Sequence, residues 1–324
     1  MKKAILLPLV FSWVLVCFCS KVQAQENTID TVYTGVYINS IHSIDFKDKE
    51  YTIDFWLWLN YKNKDFDFVN NLEIPQAKSV NKSFVSVDTS KPDNVYMLLK
   101  MQCVMRDSWK IGNFPFDRQK LRLTVENSQF DKSSLVFAAD TLGEHYDPKF
   151  ILRGWQIDSF DVSIGNKVYQ TAFGDRSVLK PRSEYSTYKV RIGIKRDAMG
   201  LFWKMFLGMY IAFFIAYVCF YIHEDGIESR FGLSVGALFA VIGNKYIIDS
   251  ALPESTSFTL VDTLHGLTLF FILAVVTSTA YSLILIKKNK KKQANKFDFV
   301  MAQVLLILYI ALNAYFIANA SSVG

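Results

Sequence analysis

The sequence is poor in cysteine and histidine, with four residues of each among 324. Cys17 and Cys19 lie in a predicted leader, which leaves Cys103 in a predicted strand and Cys219 in an apolar segment. A disulfide between two such positions is not expected, so the exported part must be held together by its core. The histidines lack metal-ligand spacing, and no Ser-His-Asp, Cys-His or paired-carboxylate constellation is evident. The sequence therefore predicts no metal site, no cofactor and no enzyme.

The first 24 residues have the organisation of a secretory signal peptide. Lys2 and Lys3 give a charged start, residues 4–19 form an apolar stretch, and residues 22–24 read Val-Gln-Ala, a small-residue cleavage site. The alternative is a fifth membrane helix, but the apolar stretch is short and no basic flank follows it. We expect the leader to be removed and the residues that follow it to be exported.

Hydrophobic residues make up 51% of the chain and aromatic residues 15%. These shares exceed those of an ordinary soluble domain, and most of the excess lies after residue 198. The net charge of +6 is carried in part by a lysine cluster between two apolar stretches. Positive flanking of membrane helices explains a cluster in that place better than nucleic-acid binding, and no nucleic-acid partner is expected. The cluster comprises Lys287, Lys288, Lys290, Lys291, Lys292 and Lys296.

Residues 25–196 predict an all-β domain. Side chains alternate between apolar and other types in Tyr51–Tyr61, and the same alternation recurs in Leu121–Val125 and Val190–Ile194. Alternation with a period of two indicates strands with one buried face. Turns rich in Asp, Asn, Gly, Pro and Ser separate these segments, which is typical of an antiparallel sandwich.

Four apolar segments follow, at about 199–222, 229–250, 258–286 and 297–320. The first, third and fourth are long enough to cross a hydrocarbon layer, which takes about 20 helical residues. Residues 197–324 are therefore predicted to form an all-α membrane domain, with a basic loop at 287–296.

The second segment is unusually polar for a membrane span. It contains Gly232, Gly236, Gly243, Asn244 and Lys245, and a lysine that faces lipid is costly. Such a span must be shielded by other helices or line water. This segment is the first indication of function in the sequence.

Export of the β-domain determines the direction of each span. The first span then runs inward, and the lysine cluster between the third and fourth spans lies in the cytoplasm, as the positive-inside rule requires. We expect an integral protein of a bacterial inner membrane whose N-terminal domain is periplasmic or extracellular and whose helices contact lipid.

Residues 114–119 read Phe-Pro-Phe-Asp-Arg-Gln, a turn that carries a carboxylate and precedes a predicted strand. This loop resembles the signature loop of the pentameric ligand-gated ion channels, the Cys-loop receptor superfamily. Animal members have a cysteine two residues after the Gln, whereas Leu121 stands here, as in bacterial members that lack the disulfide. Further segments that resemble the family are Gly35–Asp45, Phe55–Leu59, Gly154–Asp158, Glu228 and Leu252-Pro253.

Two features depart from the family pattern. The first span lacks the proline that is common in the family, and the second span is unusually rich in glycine. Otherwise the resemblance covers residues 30–320. It implies an immunoglobulin-like extracellular sandwich over residues 25–196, followed by four membrane helices. It also implies a homopentamer that is opened by a small-molecule or ion agonist, or by pH, through binding at extracellular subunit interfaces.

The resemblance implies that five copies of the second span line a pore, and helical spacing supports this independently. At about 100° per residue, one stripe of this span collects small, aromatic and hydroxyl side chains, and Glu228 lies about 40° from Gly232. A ring of Glu228 carboxylates would favour permeant cations, and Phe239 could form an apolar constriction. The alternative is that the Gly232-x-x-x-Gly236 motif only permits close helix packing. The predicted pore-lining residues are Glu228, Gly232, Gly236, Phe239, Gly243, Tyr246 and Ser250.

Lys245 lies about 200° from Gly243 and should point away from this stripe, paired with Asp249 or Asp262. The resemblance also implies that the 114–119 loop lies above the linker between the second and third spans, close to Arg196. The residues predicted to couple the two domains are Asp45, Asp48, Phe114, Pro115, Phe116, Asp117, Arg196 and Pro253.

The agonist site of the family lies between adjacent receptor domains, under a mobile hairpin. Aromatic side chains there would attract an amine ligand, although each of them could equally belong to the core. By position, one side of the site would be formed by Phe130, Phe173, Tyr185 and Tyr188, and the other by Trp56 and Trp58.

Two alternative functions stay open at the level of sequence. A sensor or adhesion protein could keep this fold without conducting, which the extra glycines and the missing proline would suit. A membrane-anchored periplasmic enzyme is disfavoured, because no catalytic constellation is evident and four helices exceed what an anchor needs.

Overall fold

The computed structural model describes residues 29–147, 149, 152–174, 181–222 and 227–323. The predicted leader lies outside these residues. The N-terminal part contains nine strands and one short helix, and the C-terminal part four long helices among the described residues. The elements are β1 Asp30–Asp45, β2 Glu50–Tyr61, α1 Phe68–Asn71, β3 Leu72–Glu73, β4 Ala77–Lys91, β5 Asn94–Arg106, β6 Arg118–Asn127, β7 Leu135–Ala139, β8 Trp155–Tyr169, β9 Ser183–Arg196, α2 Ala198–Tyr217, α3 Ile227–Ser250, α4 Leu260–Lys287 and α5 Lys291–Val323.

The strands form two sheets with the orders β4-β5-β2-β1-β7 and β3-β6-β9-β8. β1 and β7 pair in parallel, and the other pairings between these strands are antiparallel. The alternation predicted for β2 is confirmed, because Ile53, Phe55, Leu57 and Leu59 are all fully buried between the sheets. A sandwich with this core is the predicted fold class.

The four long helices are each long and apolar enough to cross a membrane. α2 continues into a short 3-10 turn at Val218–Tyr221. α4 starts at a capping box, in which the Thr259 side chain accepts from the Asp262 backbone N–H and the Asp262 carboxylate accepts from that of Thr259. Together with the sandwich, these helices complete the architecture expected from the sequence.

The basic loop predicted at 287–296 is shorter than expected. α4 ends at Lys287 and α5 already begins at Lys291, so three residues connect them. Lys, Gln and Ala favour helix, which lets the first turns of α5 form from residues that read as a loop. Asn289 adopts a positive φ of 57°, a conformation that asparagine tolerates and that reverses the chain here. Most of the predicted loop is therefore the start of a membrane helix.

Candidate functional site

Helix α3 has two distinct faces. One face is buried against the other helices of the chain and carries Arg230, Ser234, Ala237, Val241 and Ile248. These residues are three, four or seven positions apart, which is the spacing of one helical face. All seven predicted pore-lining residues lie outside this packed face and are exposed, namely Glu228, Gly232, Gly236, Phe239, Gly243, Tyr246 and Ser250.

Large aromatic side chains stand out on the exposed face of α3. Phe239 is 66% exposed and Tyr246 is 76% exposed. A Cβ atom added to Gly232, Gly236 or Gly243 would meet nothing within 4 Å. Close packing within this chain therefore does not explain the three glycines. They leave a smooth, open stripe that is interrupted by two aromatic rings.

Lys245 is held away from this stripe by two carboxylates. Its Nζ lies 2.5 Å from Oδ2 of Asp249 and 2.9 Å from Oδ1 of Asp262. The first contact lies within α3, and the second ties α3 to the start of α4. Both partners considered from the sequence are thus engaged, and the cluster carries a net charge of −1 when all three groups are ionised.

Asn244 and His265 join three helices near the end of the bundle that faces the β-domain. Asn244 Nδ2 donates to the carbonyl of Met205 at 3.1 Å, and its Oδ1 lies 2.9 Å from Nε2 of His265. Nδ1 of His265 lies 2.8 Å from the carbonyl of Val261, and the ring is fully buried. The polar Asn244 is thus shielded by helix contacts, as a membrane location requires.

A buried ion pair joins the 114–119 loop to the end of β9. Arg196 Nε donates to Asp117 Oδ1 at 2.7 Å, and Nη2 donates to Oδ2 at 3.2 Å. Gln119 Nε2 donates to the same Oδ2 at 2.6 Å. The guanidinium carbon lies 4.7, 4.8 and 4.0 Å from the ring centroids of Phe46, Phe114 and Trp155, respectively. Every polar atom of the carboxylate is therefore engaged, and the cation is enclosed by aromatic rings.

The same loop contacts the membrane helices directly. The rings of Phe116 and of Phe202 in α2 are 5.6 Å apart, and the Leu260 backbone N–H donates to the Gly112 carbonyl at 2.8 Å. The second contact binds Gly112, two residues before the loop, to the first residue of α4. The Phe114–Pro115 peptide bond within the loop is cis. A displacement of this loop would reach both α2 and α4.

The remaining predicted coupling residues have different surroundings. Asp45 lines a cavity of about 570 Å³ at the domain junction together with Arg196, but it makes no ion pair with Arg196 in the described part of the chain. Asp45 Oδ1 instead accepts from the backbone N–H of Asp48 at 2.8 Å and closes the β1–β2 turn. Pro253 is half-buried in the α3–α4 linker.

The predicted ligand residues fall into separate groups. Phe173 and Tyr185 come together with Tyr169, with ring centroids 5.4 to 6.4 Å apart. Trp56 and Trp58 lie on the half-buried outer face of the other sheet, in β2. Within one chain the two halves of the predicted site do not meet.

Two of the predicted ligand residues have roles in the core or beside it. Phe130 packs on Phe66 with a centroid separation of 4.8 Å. Tyr188 is fully buried, on the same face of β9 as Val190 and Ile192. The prediction of Tyr188 as a ligand contact is wrong, because alternation along β9 turns its side chain into the sandwich.

The site also contains two acidic residues that were not predicted. Glu73 and Glu126 line a cavity of about 360 Å³ with Tyr169, Phe173 and Tyr185. The Tyr169 hydroxyl donates to Oε2 of Glu126 at 2.9 Å. Burial raises the pKa of Glu126 above its ordinary value, although this hydrogen bond opposes the shift. Glu126 could have been found from the sequence as the one acidic residue in the alternating β6 strand.

Comparison with known proteins finds similarity to an ion channel. No protein-family model matches the chain. Over 285 residues, the chain is 23% identical to a proton-gated ion channel of Gloeobacter violaceus, and the match covers 82% of this chain and 76% of that channel. The match is long enough to include residues of both the β-domain and the helices.

Proposed function

We propose that this chain, a member of the pentameric ligand-gated ion channel family, is one subunit of a homopentamer whose five α3 helices surround an ion pathway. The observation that carries the proposal is the exposed stripe of α3, which lies outside the face that packs on the same chain. On a single chain in the membrane this stripe would put the Glu228 carboxylate and the Ser250 hydroxyl against lipid, which is costly. Five-fold assembly turns the whole stripe toward a water-filled axis instead.

The pathway is proposed to favour cations. Glu228 stands exposed at the end of α3 that is remote from the β-domain, so five copies would form a carboxylate ring at the cytoplasmic mouth. Lys245 supports this assignment, because its two carboxylate partners hold its charge off the stripe. Phe239, near the middle of the stripe, would form the narrow apolar level that gates by dewetting.

The extracellular stimulus is proposed to act on the acidic aromatic cavity around Glu126. Carboxylates and aromatic faces both attract cations, so the cavity suits an amine agonist, and protonation of Glu126 would change its charge directly. Trp56 and Trp58 would face it from the adjacent subunit. The Asp117–Arg196 pair, the Phe116–Phe202 contact and the Gly112–Leu260 hydrogen bond would carry the change to α2 and α4.

Electrophysiology in asymmetric salt tests the proposal. We expect currents that reverse near the cation equilibrium potential in wild type, and a weaker cation preference in Glu228→Gln because the carboxylate ring is lost. Glu254→Gln, which changes an exposed carboxylate in the α3–α4 linker, is the matched control and should leave the reversal potential in place. Reversal potentials that follow chloride would refute cation selectivity.

A non-conducting sensor with the same fold is the second candidate. Cysteines placed at Gly236 and Phe239 separate the two functions, because a pore exposes them to aqueous thiol reagents. Protection of both positions under every condition would favour the sensor.

A further inference from the structure

A second buried ion pair lies at the end of the helix bundle opposite the β-domain. It lines a cavity of about 280 Å³ between the ends of α2 and α4 and the starts of α3 and α5. Arg230 Nη1 lies 3.5 Å from Oδ2 of Asp298, and both side chains are more than nine-tenths buried. The polar and aromatic lining includes Tyr221, Arg230, Lys291, Asn295, Asp298 and Phe299.

The hydrogen bonds of this pair are incomplete. Arg230 Nε and Nη2 both donate to the carbonyl of Ile222, and Nη1 donates to Asp298, so three of the five N–H groups are used within the described residues. Oδ2 of Asp298 also accepts from the Ser282 hydroxyl at 2.8 Å. Oδ1 of Asp298 is buried and has no partner among the described residues. A group that fills the cavity must therefore offer both an acceptor for Arg230 and a donor for Asp298.

The α4–α5 side of the cavity is basic. Five lysines in and next to the α4–α5 connection are exposed, and none of them forms an ion pair within the described chain. Clusters of this size beside the end of a membrane helix attract the anionic surface of a bilayer. The five are Lys287, Lys288, Lys290, Lys292 and Lys296.

Apolar side chains extend from the cavity toward the lipid. Tyr221 is 60% exposed and Phe299 is 63% exposed, and both line the opening. Val300 continues the apolar surface along α5. A ligand with a phosphate group and acyl chains would match both the charged interior and this apolar rim, whereas a soluble phosphate ester would match only the interior.

We propose that the cavity binds the headgroup of an anionic phospholipid that carries hydroxyl groups, with the phosphodiester at Arg230 and a hydroxyl donating to Oδ1 of Asp298. The lysine cluster draws the negative charge to this end of the bundle, and the acyl chains lie along α5. The assignment rests on the proposed function only for the side of the membrane on which the cavity opens.

Binding is measured on the full-length protein in neutral detergent, from the thermal unfolding midpoint during titration with lipid. Phosphatidylglycerol should raise the midpoint saturably, whereas phosphatidylcholine and soluble glycerol phosphate at the same concentration should not. An equal effect of phosphatidylcholine would overturn the anionic site. An equal effect of glycerol phosphate would overturn a lipid as the ligand.

Phosphatidylmethanol has the same phosphodiester charge and no headgroup hydroxyl, so it tests the contact with Asp298. We expect its apparent affinity to be at least about tenfold weaker than that of phosphatidylglycerol, in line with one lost hydrogen bond to a charged group. Equal affinities would eliminate the hydroxyl–Asp298 contact.

Exposed lysines allow a test that does not disturb the fold. Lys287→Gln with Lys288→Gln should weaken phosphatidylglycerol binding by roughly tenfold, because each lysine near an anionic surface contributes measurably. Lys62→Gln with Lys64→Gln removes two exposed lysines of the β-domain and should leave the affinity unchanged. Equal affinities in both double variants would refute the role of the cluster. None of these measurements needs a current, so a non-conducting protein could still bind the lipid, and a channel could fail to bind it.

Discussion

The two buried ion pairs of this protein differ in how completely their hydrogen bonds are formed. At the domain junction, Asp117 accepts two hydrogen bonds from Arg196 and one from Gln119. At the opposite end of the helices, Asp298 accepts from Arg230 across 3.5 Å and leaves one oxygen without a partner among the described residues. Burial removes both ion pairs from water, which costs desolvation free energy. Only at the first pair do hydrogen bonds within the chain offset this cost at both carboxylate oxygens.

The difference teaches where each pair can respond to its surroundings. A saturated pair enclosed by three aromatic rings has one good geometry, so in the proposed coupling role it would transmit a displacement of the 114–119 loop as a rigid contact. An unsaturated pair beside a cavity can gain energy from a ligand. Differential energies of this kind are what shift populations between two states of a protein.

The largest expected effect comes from breaking the saturated pair. Asp117→Ala leaves Arg196 charged and enclosed by aromatic rings, and loss of one partner of a buried pair costs about 3–5 kcal/mol. We expect a large drop in the thermal unfolding midpoint of the purified protein and loss of stimulus-evoked current. Arg196→Lys keeps the positive charge, so we expect its thermal unfolding midpoint to fall by less than half as much as that of Asp117→Ala.

Normal gating in an Asp117→Ala protein of unchanged stability would contradict a rigid coupling role. Unchanged stability alone would show that the pair is not buried in the assembled protein.

A smaller effect is expected at the unsaturated pair. Arg230→Gln leaves Asp298 with the Ser282 hydroxyl as its hydrogen-bond donor. Because the Arg230–Asp298 contact already spans 3.5 Å, we expect its loss to cost less than the roughly 3–5 kcal/mol of a fully formed buried pair. The thermal midpoint should fall less than in Asp117→Ala. Phosphatidylglycerol should raise the midpoint of this variant by less than it raises that of wild type, because the guanidinium that binds the phosphate is gone. A drop as large as that of Asp117→Ala would show that the two pairs are equivalent.

Sequence patterns predicted these two pairs to different degrees. The motif at 114–119 indicated Asp117, and the family resemblance indicated Arg196 at the start of the first span, so a resemblance was enough to bring them together. Nothing in the sequence connects Arg230 with Asp298, because 68 positions separate them and only the packing of α3 against α5 makes them neighbours. Asp298 also lies only two residues after the segment that was predicted as a basic loop.

The same contrast holds for the candidate sites. The α3 stripe follows from arithmetic on one helix, and each of its residues is exposed as that arithmetic requires. The ligand residues depend on which face of a strand or hairpin they occupy. Alternation with Val190 and Ile192 could have excluded Tyr188, whereas the meeting of Glu73 with Glu126 depends on the pairing of β3 with β6.

A third buried carboxylate sharpens the comparison, because no ion pair with a described residue neutralises it. Glu126 faces Tyr169 and Glu73 and, more distantly, Lys167 and Lys189. Its folded-state pKa is raised by burial, so the folded protein holds this proton more tightly than the unfolded chain. The contribution of Glu126 to stability is therefore fully present below the unfolded-state pKa of a glutamate and is lost as the pH rises through the folded-state value.

Glu126→Gln should remove this part of the pH dependence of stability. At neutral pH it should also stabilise the protein, by a smaller amount than Arg230→Gln destabilises it. Unfolding midpoints measured from pH 4 to 8 check both statements, with Glu144→Gln, an exposed carboxylate of the same domain, as control. Parallel pH profiles of wild type and Glu126→Gln would contradict the assignment. A shift of the activating pH in the same variant would connect the cavity with gating.

The smallest effect is expected at Lys245, whose ion pairs are partly exposed. The side chain is 30% exposed and shares its charge between Asp249 and Asp262, and pairs of this kind contribute about 0–1 kcal/mol. Lys245→Gln should therefore change the unfolding midpoint little, as should Lys204→Gln, its exposed control on α2. Because Lys245 lies off the α3 stripe, the reversal potential should also stay in place, while Glu228→Gln shifts it. A shift toward stronger cation preference in Lys245→Gln would mean that the lysine faces the ion pathway in the assembled protein, and the stripe would then have to be rotated about the axis of α3.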